Sequence, residues 1–384
     1  MRVMMSCGEP SGDMYAAELA RQIRAQDPSA AITGFGGERL RAAGADLLGD
    51  FSGLSVTGLL EVVRILPRTL EMYRRLVAAA RAQRPDVFVA IDFPDFNFRL
   101  AHALRRLGVP VVYYISPQLW AWRPGRMNTM RRLADRVLVI FPFEEAIYRE
   151  AGVPVEWVGH PLLDVMPPPR PKEEIAAGLG LRAGDPIVAL LPGSRRNEVQ
   201  AILPDLVAAA QTIRQRLPTA QFVLARAPHV SQELLRPLQQ LEPAATIVDG
   251  GSDDVLTAAD VALVASGTVT VQAALHECPM VVVYRLSPLT YRLGRRFVRV
   301  DTFAMANLVA GKRVVPELIQ DDFKPERVAA EAISILTDPA RGATMRRELA
   351  EVRHRLGTPG ASARAARAVL DVGRLRATRS GEPG

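Results

Sequence analysis

The sequence predicts an α/β chain of two similar domains that face each other across a cleft, each built on a parallel sheet. Three observations carry that prediction. Short apolar runs rich in Val and Ile alternate with stretches of helical periodicity, a proline-rich segment interrupts the alternation after Asp164, and beyond it the same alternation starts again. A length of 384 residues accommodates two domains, and 48% hydrophobic with 23% charged residues is a globular rather than a disordered or fibrous composition.

In chain order, the runs 2–5, 31–35, 87–91, 111–115 and 136–140 read as strands of a first domain spanning 1–166, separated by helical stretches such as 16–23 and 70–80. The stretch VMPPPRPKEE, with Pro167, Pro168, Pro169 and Pro171, excludes regular helix and central strand, so 167–186 reads as a stiff extended linker. Strands at 187–191, 221–225, 246–248, 261–264 and 280–284 rebuild the pattern in a second domain, 187–338. From Pro339 onward the chain is Arg- and Ala-rich with helical spacing and no strand signal. The block 339–384 is expected to form terminal helices that pack back on the first domain, with a frayed tail from Thr378.

The formal charge is +7, nearly all of the excess arginine, with a sequence pI near 9.8. An anionic partner follows, whether nucleic acid, phosphorylated small molecule or acidic lipid. Cys7 and Cys278 lie far apart with no C-x-x-C spacing, which points to neither zinc nor a disulfide framework and fits a reducing cytoplasm. The N-terminal apolar part is too short for a signal peptide, and no run reaches the roughly eighteen apolar residues of a membrane span.

Two loops in the second half each follow a strand and open a helix. ALLPGSRRNEV offers the backbone amides of Gly193 and Ser194 and the guanidinium of Arg195, and LVASGTVTVQAAL offers Ser266, Gly267 and Thr268. Both sit where a helix dipole and unpaired amides favour an anion, and together on one sheet they suggest a diphosphate site at the strands' carboxyl ends. Neither is a Walker loop, and no G-x-G-x-x-G follows the first strand, so no dinucleotide cofactor is expected. VVPELIQDD adds Glu317 and Gln320, read as one helical turn apart and suited to ribose hydroxyls and a base; the plainer alternative makes Glu317 the cap of a helix after Pro316. In the first half, Gly8, Glu9, Ser11, Gly12 and Asp13 lie between the first strand and its helix, and TGFGGERLRAAG repeats that design.

IDFPDFNF places Asp92 and Asp95 at the carboxyl end of the strand 87–91, where a carboxylate can take a proton from an attacking hydroxyl. Asp92 is the stronger candidate, because Asp95 can equally cap a helix starting near Phe96. The five histidines, His102, His160, His229, His276 and His354, show no H-x-x-x-H spacing, which argues against a protein-bound metal. His160 reads as structural or hinge-lining, and the absence of G-x-S-x-G leaves a hydrolase triad without an anchor.

SCGEPSGD, IDFPDFN, YYISPQLWAWRPGR, VGHPLLD, LLPGSRRNE, ASGT and MANLVAGKRVVPELIQ, in this order over almost the whole chain, resemble the lipid A disaccharide synthase family. The resemblance implies two Rossmann-like, doubly wound domains of the glycosyltransferase B type. It implies condensation of UDP-2,3-diacylglucosamine with 2,3-diacylglucosamine 1-phosphate to a β(1→6)-linked disaccharide phosphate and UDP, with inversion and with neither metal nor cofactor. Carried over residue by residue, Asp92 is the base on the acceptor 6-hydroxyl, and Arg195 with the Ser266–Thr268 loop holds the diphosphate. Asn307, Glu317 and Gln320 line the nucleotide or sugar pocket. Trp120 and Trp122 shape the cleft, while Arg123 and Arg126 meet the acceptor phosphate beside the Gly8, Glu9, Ser11 and Gly12 loop. This sequence departs from the family pattern at Pro10, where a small residue is usual. It departs again at Val269, Thr270, Val271 and Gln272, where an Ala-Leu-Glu-like run is expected.

In VTGLLEVVRILPRTL, Leu59, Leu60, Val62 and Val63 belong to an apolar helical face that is core in most soluble proteins. Acylated substrates need an apolar landing surface, so this face is expected to dip into the inner membrane from the cytoplasm, helped by the basic run YRLGRRFVRV. A UDP-N-acetylglucosamine 2-epimerase on the same architecture is the alternative enzyme; it would need the nucleotide site but no apolar stripe. No nucleic acid is expected as a partner, since the arginines are dispersed and no recognition motif occurs. A homodimer is left open.

Overall fold

A computed structural model describes residues 1–51, 59–119, 124–182, 184–228, 230–285 and 302–380, with backbone alone at 59–65 and 376–380. The chain divides into two compact units, Met1–Val165 with Leu356–Gly384, and Met166–Arg355.

The first unit runs β1 (Arg2–Cys7), α1 (Pro10–Gln26), β2 (Ala31–Gly36), α2 (Glu38–Ala42), β3 (Asp46–Asp50), α3 (Leu59–Gln83), β4 (Val87–Ile91), α4 (Pro94–Arg106), β5 (Val111–Tyr114), α5 (Met127–Leu133), β6 (Arg136–Val139), α6 (Pro142–Glu150), β7 (Val155–Trp157) and α7 (Leu162–Val165). Its seven strands lie in the order β3-β2-β1-β4-β5-β6-β7, every pair parallel. The central strands VFVAI and VVYY are buried along their whole length, as a parallel sheet covered on both faces requires. Met4, Phe35, Phe88 and Tyr113 pack against Leu76 of α3 and Leu100 and Leu104 of α4 in one core cluster.

The second unit runs α8 (Lys172–Gly178), β8 (Ile187–Leu191), α9 (Arg196–Arg216), β9 (Gln221–Arg226), β10 (Thr246–Asp249), α10 (Ser252–Ala258), β11 (Val261–Ala265), α11 (Thr268–Leu275), β12 (Met280–Tyr284), α12 (Met305–Ala310), β13 (Glu317–Ile319), α13 (Pro325–Thr337) and α14 (Pro339–Arg355). Its parallel sheet has the order β10-β9-β8-β11-β12-β13. In each sheet the strand order reverses once, between β1 and β4 and between β8 and β11. These are the switch points beyond whose carboxyl ends open α/β sheets bind ligands.

Within 167–186 the proline run has no regular secondary structure. Lys172–Gly178 is helical, buries Ile175 and Ala176 and packs on α10, because Pro171 stands just before the first turn and the residues after it are good helix formers. The block 339–384 divides as well: α14 packs on α11 and α12, whereas the last helix, α15 (Ala361–Ser380), packs on α1 and β4. Asp164 fixes the start of α15 by accepting the Gly360 and Ser362 N–H groups at 2.5 and 2.7 Å.

Candidate functional site

In the first unit the loops after β1 and β4 flank the switch point and touch. Asp92 and Phe93 follow β4 with φ of +45° and +48°, the left-handed region, before α4 begins at Pro94. Gly8 lies against the Phe93 ring so closely that a Cβ on it would sit 2.4 Å from Phe93 Cγ. The Asp92 backbone oxygen accepts from Tyr113 Oη at 2.9 Å and Asn97 Nδ2 at 2.8 Å. Burial raises the Cys7 thiol pKa and the Tyr15 and Tyr113 phenol pKa values, and the nearby Asp92 carboxylate adds to all three shifts.

Asp95 is not the cap of a helix starting near Phe96. It lies inside the first turn of α4, whose N-cap is Phe93, and its exposed carboxylate pairs with Arg126 at 2.7 Å. The Arg126 guanidinium also lies 5.7 Å from the centre of the Phe98 ring. Trp120 and Arg123 lie outside the described residues, as does Trp122. Glu9 and Ser11 are half-buried at the start of α1, whereas Gly12 is buried with its Cα facing Cys7, a close helix-to-strand contact. Pro10 stands at the first position of α1, where its missing N–H costs nothing. Asp13 is buried and receives the N–H groups of Gly37, Arg39 and Leu40 at 2.7, 3.0 and 3.2 Å, so it ties the TGFGG loop to α1. His160 is buried between Tyr15 and Phe141, accepts the Leu162 N–H on Nδ1 at 3.2 Å, and has its pKa pushed down by burial to about 3.

In the second unit the loops after β8 and β11 occupy the equivalent switch-point positions. Gly193 has φ of +111°, and a Cβ there would meet Glu198 Oε2 at 2.7 Å, so the loop needs glycine. Ser194 is exposed. The Arg195 guanidinium is half-exposed and pairs with Glu198 at 3.1 Å, and Glu198 also accepts the Arg195 N–H at 3.3 Å. Burial raises the Tyr284 pKa; the Glu198 carboxylate adds to the rise and Arg195 opposes it, which links the end of β12 electrostatically to this loop. Gly267 is the N-cap of α11 with no side-chain cap, and Thr268 is exposed at the helix start.

Ser266, Asn307 and Glu317 form one chain of hydrogen bonds. Ser266 Oγ donates to the Phe303 oxygen at 3.2 Å, and Glu317 accepts the Phe303 and Ala304 N–H groups at 2.8 and 3.1 Å and Asn307 Nδ2 at 2.6 Å. Asn307 is buried; its Oδ1 accepts from Val314 and Val315, and its Nδ2 also donates to the Val315 oxygen. Asn307 thus sets the position of Glu317 and the 303–304 backbone. The helical reading of Glu317 and Gln320 is corrected: Glu317 begins β13, pairs with Val282, and anchors the segment leading into α12 rather than capping a helix after Pro316. Gln320 follows the strand at φ +55°, so a strand end separates the two.

Sequence reasoning missed Asn97, Tyr113, Glu198 and a cluster between α10 and α11. There Asp253 Oδ1 accepts from Gln272 Nε2 at 2.7 Å and from His276 Nε2 at 2.8 Å, while Gln272 Nε2 also donates to Ser252 Oγ at 2.9 Å. Burial works to raise the Asp253 pKa, but these hydrogen bonds hold it below the usual carboxylate value. A carboxylate at 272 would face Asp253 with like charge, so the amide at this unusual position is what lets the two bond. Among the described residues no three His, Cys, Asp or Glu side chains converge as metal ligands, and no helix is long and apolar enough to cross a membrane. Leu59, Leu60, Val62 and Val63, expected from the sequence to face a membrane, lie outside the described side chains. The next turns of α3 leave Leu66 and Leu70 exposed at 55% and 45%.

Residues 3–372 match the family model described as lipid-A-disaccharide synthetase. The lipid-A-disaccharide synthase of Myxococcus xanthus (strain DK1622) is 44% identical over 372 residues, covering 97% of each chain. Among solved structures, the UDP-GlcNAc 2-epimerase of Neisseria meningitidis, crystallised with UDP-GlcNAc, superposes with a TM-score of 0.63 at 11% identity over 97% of this chain and 100% of its own. The glycotransferase of kitacinnamycin superposes with a TM-score of 0.63 at 18% identity over 97% and 98%. At such identities the two structures speak for the fold alone, the glycosyltransferase B architecture.

Proposed function

The chain belongs to the lipid-A-disaccharide synthase family, a family of glycosyltransferases, and from that premise we propose its substrates and the roles of its residues. The donor is UDP-2,3-diacylglucosamine, the acceptor 2,3-diacylglucosamine 1-phosphate, and the products are a β(1→6)-linked disaccharide 1-phosphate and UDP. The acceptor 6-hydroxyl oxygen attacks the anomeric carbon, its proton passes to the Asp92 carboxylate, and the bond to the diphosphate breaks with its electron pair leaving on UDP. One direct displacement inverts the anomeric centre. General-base assistance of this kind contributes about 10²- to 10⁴-fold in rate.

The observation that carries the reading is positional. In both units the loops flanking the switch point hold candidate residues: Gly8, Glu9, Ser11 and Asp92 in the first, Gly193–Arg195 and Ser266–Thr268 in the second. In the second unit the backbone amides at Gly193 and Ser194, the Arg195 guanidinium and the start of α11 at Gly267 and Thr268, which has no side-chain cap, suit the charge that develops on UDP. Ser266, Asn307 and Glu317 shape the neighbouring wall, with Gln320 beyond the end of β13. In the first unit Gly8, Glu9 and Ser11 border Asp92 on the acceptor side. Arg126 leaves Asp95 to meet the acceptor phosphate, together with Arg123 and Trp120, and Asp95 serves as its resting counter-ion.

The apolar acyl chains call for a landing surface. The exposed Leu66 and Leu70, one turn apart on α3, support an apolar face that continues from Leu59, Leu60, Val62 and Val63 and rests on the cytoplasmic side of the inner membrane. The experiment for the whole reading incubates the purified protein with both substrates in detergent and identifies products by mass spectrometry and NMR. A β(1→6) disaccharide monophosphate with one UDP per turnover is expected. Formation of a C2 epimer from UDP-N-acetylglucosamine, without disaccharide, would overturn it.

A further inference from the structure

The backbone at Asp92 and Phe93 holds two consecutive non-glycine residues in the left-handed region, at φ +45° and +48°. Such a pair persists only where its surroundings over-determine it. The surroundings here are specific. The Asp92 carbonyl receives two side-chain donors, Tyr113 Oη at 2.9 Å and Asn97 Nδ2 at 2.8 Å, and Asn97 Nδ2 also reaches the Ile91 oxygen at 3.3 Å and the Ser6 oxygen at 3.1 Å. One amide therefore ties the end of β4 to the end of β1, the two strands of the switch point. Both donors are out of reach of any substrate, with Asn97 at 0% and Tyr113 at 1% exposure.

Two details separate this arrangement from ordinary packing. Asn97 Oδ1 is buried with no partner, so this amide is kept in the core for its N–H donors alone, against the cost of an unsatisfied acceptor. Both donors meet at the Asp92 carbonyl, just past the end of β4, where the ladder of the sheet reaches Asp92 N only at 3.4 Å through the Tyr114 oxygen. Fixing that carbonyl fixes the direction in which the Cα–Cβ bond of Asp92 leaves the backbone.

We propose that Asn97 and Tyr113 are positioning residues of the transfer reaction: from beneath the site they hold the strained Asp92–Phe93 turn so that the Asp92 carboxylate stands where the acceptor hydroxyl loses its proton. The inference rests on the reading of Asp92 as the base. A carboxylate that must lie within hydrogen-bond reach of a single hydroxyl loses rate steeply when displaced, by about 10²-fold for 1 Å.

The test is a double-mutant cycle. Tyr113→Phe removes one oxygen and keeps the ring, and Asn97→Ser removes the amide. Each is combined with Asp92→Asn, with kcat, acceptor KM, the kcat–pH profile and the UDP dissociation constant measured for all. Tyr113→Phe is expected to lower kcat about tenfold and the double variant Tyr113→Phe/Asn97→Ser about 10²-fold, with UDP affinity unchanged. In the Asp92→Asn background neither change is expected to lower the residual rate further, because there is no base left to position. If Asn97→Ser does not fold, the Tyr113→Phe arm decides alone. Full kcat in Tyr113→Phe, or an equal loss with and without Asp92, would overturn the proposal while leaving Asp92 as the base. Full activity in Asp92→Asn itself would remove the reading on which it rests.

Discussion

Replacing Gly8 by alanine tests whether the turn at Asp92 is held as tightly as its contacts imply. A Cβ on Gly8 would lie 2.4 Å from Phe93 Cγ and 2.6 Å from both Cδ atoms. Ordinary carbon contacts begin near 3.4 Å, so the ring must withdraw by about 1 Å. It has little room, because Phe93 packs on Phe96 at 5.3 Å between centroids, and Phe96 packs in turn on the buried Phe35 at 5.7 Å. The displacement therefore passes into the Phe93 backbone and to its neighbour Asp92. A shift of about 1 Å at a reacting group costs on the order of 10²-fold, equivalent to about 2.7 kcal/mol in the barrier. Overpacking of this kind costs about 1–3 kcal/mol in stability as well. The assay is initial rates at saturating donor and acceptor, with UDP affinity by calorimetry as the control for the second unit. A kcat within twofold of the parent, at unchanged acceptor KM, would refute the reasoning. A rise confined to acceptor KM would instead assign Gly8 to direct contact with the acceptor.

Three further outcomes are expected. His160 is held neutral down to about pH 3, whereas in the unfolded chain it takes a proton near 6.5. Its contribution to stability is thus complete above pH 6.5 and falls by about 1.4 kcal/mol per unit as pH drops from there toward 3, and His160→Asn should flatten that slope in urea titrations. Asp13→Ala strands three N–H groups at the start of α2 and should cost about 3 kcal/mol or more by chemical denaturation, without changing UDP affinity. Arg195→Ala should weaken UDP binding about tenfold in calorimetry, less than a fully available guanidinium would contribute, because Arg195 must first leave Glu198.

The strands most legible in the sequence are those buried on both faces. VFVAI, IVALL and VALVA announce themselves as unbroken apolar runs because a central parallel strand has no wet side. Of the half-buried edge strands, TIVD was legible through its β-branched residues, whereas DLLGD, VEW and ELI were not, since a strand with one free edge needs no apolar run. This is why Glu317 was read on a helix. The glycine loops of both units could be found because they follow strands and open helices, which fixes their place at the carboxyl ends of the sheets before any contact is known. The residues that hold those loops could not. Tyr113 reaches Asp92 across 21 positions and Arg126 reaches Asp95 across 31, and nothing in the local pattern of either signals the partner. Asn97 stood within IDFPDFN, but only the fold shows that its amide points back under the strand ends rather than outward as an ordinary polar residue of a first helical turn would.

The most direct test of the central claim is the single-turnover rate of disaccharide formation by Asp92→Asn, measured beside the parent and Asp95→Asn under saturating donor. A fall of at least about 10²-fold is expected for Asp92→Asn with UDP affinity intact, and a much smaller loss for Asp95→Asn, expressed in acceptor KM. Disaccharide formation at the parental rate by Asp92→Asn would contradict the assignment of Asp92 as the base.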